Sequence, residues 1–143
     1  MIAKERLVLH SSVALCWYFQ DQADRYADGV AKQLISAEAL VPSLWPLEVA
    51  NAALMGERGY RSTQADARRW IAVLERLPIT LDGETATRAR DDTLPLARAQ
   101  NLSAYDAAYL ELALREGLPI ATLDPKLKAA AQAVGVPLYQ VTA

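Results

Sequence analysis

One cysteine, one histidine, one phenylalanine and six glycines are spread over 143 residues, and each scarcity removes a class of explanation. A lone Cys16 forbids an intrachain disulfide, and inside an apolar stretch it reads as a small core residue of a reducing compartment. No Cys/His pair, Gly-x-Ser-x-Gly elbow or Gly-rich phosphate loop is present, so covalent and dinucleotide chemistries lack their usual carriers. The apolar run at 13–19 is far too short to span a bilayer. The first ten residues place charges where a signal peptide would need an apolar stretch. Positive charge is also lacking: the net charge is −2. That excludes binding of nucleic acid by bulk electrostatics, although a bound cation can neutralise phosphate locally. A soluble, cytoplasmic protein with no membrane partner is expected.

What is present is a globular composition, with 52% hydrophobic and 22% charged residues. No repeat, low-complexity tract or linker interrupts it, so residues 1–143 read as a single domain. Apolar patterning predicts short strands at 6–9, 39–42, 78–81, 118–123 and 136–139. Helices are predicted at 13–19 with Ser11 or Ser12 as cap, at 23–36, at 44–58 closing on Gly59, and at 62–77. Further helices are expected at 83–101 with a break near Leu94-Pro95, at 103–116 ending on Gly117, and at 125–134. Strands alternating with helices imply a mostly parallel sheet covered on both faces, with the ligand site beyond the strands' carboxyl ends. His10 and Asp124 each fall just after a predicted strand.

Three acids stand out. Glu48 is the only charge in the helical stretch LWPLEVANAALM (44–55), where burial is costly unless the carboxylate is paired or metal-bound. It reads equally as part of a narrow solvated stripe with Asn51 and Ala52. Asp106 follows Ser103 at capping-box spacing, and Asp124 precedes Pro125 as an N-cap precedes a first-turn proline. Ordinary helix punctuation accounts for both. Together, three carboxylates at helix starts or on a helix face suit Mg²⁺ or Mn²⁺, which prefer oxygen ligands and can activate water against phosphate.

Four segments carry a resemblance: VLHSSVAL (8–15), PLEVANA (46–52), LSAYDAAY (102–109) and ATLD (121–124). With them the chain resembles, over nearly its whole length, the PIN-domain family and in particular the VapC-type ribonuclease toxins of bacterial toxin–antitoxin pairs. The resemblance implies a three-layer α/β/α sandwich with a mostly parallel sheet, whose clustered acids hold Mg²⁺, or Mn²⁺, for hydrolysis of RNA phosphodiesters. By position, Glu48, Asp106 and Asp124 match three of those acids. Ser12 matches the family's small hydroxyl residue, and Asn51 and Thr122 look like supporting groups. It also implies a cognate antitoxin protein, an RNA substrate and a homodimer.

The departure is at the first acid. Relatives read Leu-Asp-x-Ser-Val, whereas this chain reads Leu9-His10-Ser11-Ser12-Val13, so its only histidine stands at the leading ligand position. Loss of a negative charge to an imidazole there implies weak or absent Mg²⁺-dependent activity. A catalytically inactive PIN-like binding module, for antitoxin or for dimerisation, is the alternative. A flavodoxin-like small-molecule binder, in which the acids are only caps, is a third. Arg68, Arg69 and Arg98 are candidates for an RNA-facing surface and read equally as solvated side chains. Trp17, Tyr18, Phe19, Trp45, Tyr105 and Tyr109 are expected mainly to pack.

Overall fold

The computed structural model describes residues 4–141. Residues 1–3 and 142–143, which the single-domain reading includes, lie outside the described residues. Four strands, β1 (Arg6–Leu9), β2 (Glu38–Val41), β3 (Ile79–Leu81) and β4 (Ile120–Ala121), form one sheet in the order β3-β2-β1-β4. Every pairing is parallel.

The two-residue period of the strands decides the layers. Leu7, Leu9, Ala39, Val41 and Ala121 face one core. That core is shared with α1 (Ser11–Tyr18), α2 (Arg25–Gln33), α3 (Trp45–Arg58) and α4 (Gln64–Arg76). Val8, Leu40 and Ile120 face the other, packed by α7 (Ala104–Glu116) and α8 (Pro125–Ala133). Between β3 and α7 the chain forms α5 (Thr85–Arg88), a π-turn at residues 89–93 and α6 (Leu94–Gln100). The expected three-layer α/β/α sandwich with a parallel sheet is therefore found. Among the described residues no helix is long and apolar enough to cross a membrane.

Four expectations need correction. The strand predicted at 118–123 contracts to Ile120–Ala121, because Pro119 has no N–H and the Thr122 side chain is drawn to the site described below. The strand predicted at 136–139 is a single bridge between Ile120 and Leu138, beside Pro137, which cannot donate. Neither Ser11 nor Ser12 caps α1: His10 stands at its N-cap position and makes no side-chain capping bond. The break predicted at Leu94-Pro95 lies one step earlier, as the π-turn at 89–93, which leaves Pro95 in the first turn of α6 where its missing N–H costs nothing.

Candidate active site

Parallel topology brings the carboxyl ends of β1 and β4 side by side, and the residues that follow each strand meet there. The backbone N–H of His10 donates to the Ala121 carbonyl at 2.9 Å, which continues the ladder one step past β1. His10 is buried, and both of its ring nitrogens are engaged. Nε2 lies 2.9 Å from Asp106 Oδ1. Nδ1 lies 2.8 Å from Ser12 Oγ and 2.9 Å from Thr122 Oγ1. The hydrogen bond from His10, with the Asp124 carboxyl and Lys126 acting in the same direction, holds the Asp106 carboxyl below its ordinary range. An ionised Asp106 carboxylate can only accept, so Nε2 is the hydrogen-bond donor of that pair, and Nδ1 faces two hydroxyls.

Those hydroxyls also serve the β4–α8 turn. Ser12 Oγ accepts from the Leu123 backbone N–H at 3.0 Å, and Thr122 Oγ1 accepts from the Asp124 backbone N–H at 3.1 Å. Asp124 caps α8 by accepting from the Lys126 backbone N–H, and Asp106 sits in the first turn of α7, where Ser103 Oγ accepts its backbone N–H. The capping roles legible at Ser103 and Asp124 are thus real, and they coexist with the clustering. Capping fixes the helix starts, and the helix starts carry the acids to the sheet edge.

Glu48 arrives from α3. Its carboxylate accepts from the Tyr109 hydroxyl and, at 3.3 Å, from Ser11 Oγ. Burial raises the Glu48 pKa, against the opposing effect of the Tyr109 bond. Burial and the Glu48 carboxylate in turn push the Tyr109 hydroxyl far upward, so it stays protonated as a donor. The Tyr109 ring meets His10 edge-on, with centroids 4.7 Å apart and planes at 84°. Ser11 and Tyr109 were missed as site residues. Tyr109 had been expected to pack, which it does, but its position three residues after Asp106, on the same helix face, is the signal that placed its hydroxyl here. Tyr105, by contrast, is exposed. Asn51 is exposed one turn beyond Glu48 and shares a cleft with it rather than touching the His10 cluster.

The side chains as placed do not fit a divalent cation directly. Both His10 nitrogens are committed within the protein, both Glu48 oxygens face hydroxyl groups, and Asp106 is tied to the imidazole. Among the described residues no three histidine, cysteine, aspartate or glutamate side chains are arranged to hold a metal ion.

The PIN domain family model matches residues 7–133, and the chain belongs to that family. Within it the chain is similar to VapC-type ribonucleases. It is 37% identical over 107 residues to VapC ribonuclease Mb0985 of Mycobacterium bovis, an overlap covering 74% of this chain and 81% of that protein. The same figures hold for Ribonuclease VapC9 of Mycobacterium tuberculosis. In structure it resembles PAE2754 from Pyrobaculum aerophilum, with a TM-score of 0.60, 26% identity, and coverage of 89% of this chain and 79% of that one.

Proposed function

We propose that this chain is an endoribonuclease toxin of a toxin–antitoxin pair whose metal-dependent hydrolysis of RNA phosphodiesters is impaired by His10. Family membership and the similarity to ribonucleases support the reaction class. The single observation that carries the impairment is the bond from His10 Nε2 to Asp106, which spends on the protein a carboxylate of the acid cluster. In this reading Glu48, Asp106 and Asp124 stand at the catalytic and metal-binding positions that would serve Mg²⁺, or Mn²⁺, once the imidazole no longer ties up Asp106. His10 stands where a fourth ligand belongs, and Ser12 and Thr122 position it. A cytoplasmic homodimer bound by a cognate antitoxin completes the proposal.

His10→Asp is the test. Against a mixed RNA substrate the variant should cleave more than about tenfold faster than the parent in Mg²⁺, since even the outer partners of metal ligands are worth 10–100-fold. Equal rates for the two proteins in both Mg²⁺ and Mn²⁺ would remove His10 from the explanation. The locked imidazole also favours a second reading, an inactive PIN-like module that binds antitoxin. Tight antitoxin binding by both proteins, with cleavage by neither in any divalent metal, selects that reading.

A further inference from the structure

We propose that the cleft between α1 and α3, directly beside Glu48, is a binding pocket for one unpaired nucleobase of an RNA strand, with Arg61 as its stacking wall. The inference rests on the ribonuclease reading of the adjoining site. The cleft has a volume of about 360 Å³, within the ordinary range for small-ligand pockets of about 300–1,000 Å³. Ser11 and Glu48 belong both to it and to the site, so a strand lying across the acids reaches it without a gap. Leu15 and Met55 supply apolar walls, and Asn51 contributes a carboxamide with a donor and an acceptor. From Glu48 to Gly56 the α3 wall runs about 12 Å at the usual helical rise, and Arg61 closes the far end.

The unusual feature is how firmly Arg61 is held. Its guanidinium carbon lies 3.9 Å from the Phe19 ring centroid, and its Nη2 donates to both Asp21 oxygens, at 3.0 and 3.1 Å. An exposed ion pair of this kind adds little stability, so its main consequence is position. The backbone is committed to the same end. Tyr60 adopts φ of 57°, a left-handed conformation that costs a non-glycine residue energy. That turn brings the backbone N–H groups of Arg61 and Ser62 back onto the Gly56 carbonyl, at 2.9 and 3.3 Å. Gly56 makes the approach possible: a Cβ there would lie 2.5 Å from Ser62 Oγ and 2.9 Å from Phe19 Cε1.

The wall chemistry selects the ligand. A planar guanidinium fixed on an aromatic ring presents its outer face for stacking. Asp21 offsets its charge, so a flat neutral ring suits it better than a free anion does. Glu48 repels an anion at the other end of the cleft. Apolar faces with polar edges are the properties of a nucleobase, and single-stranded RNA is read by such stacking and by amide contacts to base edges.

The test is binding, measured by fluorescence anisotropy on the full chain in the absence of divalent metal. The probes are labelled oligouridylate and oligoadenylate, and a ribose-phosphate strand of equal length without bases. At least one base-bearing strand should bind about tenfold tighter than the abasic strand, the general scale of stacking on a planar side chain. Met55→Trp, which fills the cleft from an exposed position, should abolish that preference. Arg61→Ala should do the same, and Arg61→Lys, which keeps the charge without the plane, should not restore it. Thermal melts verify that each variant is folded, and Met55→Trp decides the matter if Arg61→Ala is not. Equal binding of base-bearing and abasic strands, or a preference that survives Met55→Trp, overturns the pocket and leaves the ribonuclease reading standing. Failure to bind any of the strands also overturns the pocket, while the ribonuclease reading, being metal-dependent, stands or falls separately on the His10→Asp cleavage assay.

Discussion

His10 and Asp106 are 96 positions apart in sequence, yet Nε2 of one lies 2.9 Å from Oδ1 of the other. A carboxylate at position 10 would add a fourth negative charge and need a cation. The imidazole instead donates to Asp106 and rests on Ser12, Thr122 and the edge of Tyr109. Glu48 completes the arrangement through Tyr109, whose hydroxyl donates to it. Removing that donor with Tyr109→Phe leaves a half-buried carboxylate short of a partner, at a cost of about 1–3 kcal/mol. The cost depends on pH in a definite direction. Burial already raises the Glu48 pKa above its ordinary 4.5, and the Tyr109 bond opposes that rise. Ionised Glu48 therefore weakens the fold as pH rises above the unfolded value, and the variant deepens that deficit. Urea denaturation should show a larger loss at pH 7 than at pH 4, and a loss that is equal at both would refute the assigned direction of the bond.

At the scale of elements, the end of α3 shows how local chemistry builds a surface. Gly59 was expected to close the helix. The helix does end at Arg58, but Gly59 keeps φ of −89° and the left-handed turn falls on Tyr60. The glycine that matters sterically is Gly56, against which Phe19 and Ser62 pack. Gly56→Ala should push the Arg61–Ser62 turn outward and cost about 1–3 kcal/mol, the usual range for overfilling a packed contact. A melting temperature unchanged by the substitution would show that the turn gives way freely. Gly117, in contrast, behaves as the pattern predicted: at φ of +66° it ends α7 in the left-handed conformation.

Across the whole molecule, the second core is tied to the sheet edge by a nearly buried ionic cluster. Arg115, late in α7, pairs with Asp82 just after β3 at 2.7 Å and with Glu111 at 3.0 Å. Burial pushes the Asp82 carboxyl up, but hydrogen bonds from Arg115 and Thr85 outweigh it and hold the group below its ordinary value. Such a group stabilises the fold above its unfolded pKa and loses that contribution as pH falls through the lower, folded value. Arg115→Met should therefore cost about 3 kcal/mol near neutrality, because it strands two acids with little water around them. The difference from the parent should shrink in acid. Denaturation curves at neutral and acidic pH check this, and a constant difference would mean that packing rather than charge dominates.

The order and type of nearly all elements and the parallel sheet were determined by sequence alone. Strand runs, caps and proline positions are local signals, and the four segments around His10, Glu48, Asp106 and Asp124 carried the family. The sequence also marked His10 as the exception. Its partners were beyond reach, because a side chain's hydrogen bonds depend on which strand ends and helix starts become neighbours. Tertiary structure decided that both imidazole nitrogens are used, that Glu48 leans on Tyr109, and that Arg61 lies over Phe19 along the cleft that Glu48 also lines. The strands at 118–123 and 136–139 were overextended for a related reason. Their apolar residues satisfy the strand pattern, while prolines and the demands of the site limit how much of each can pair.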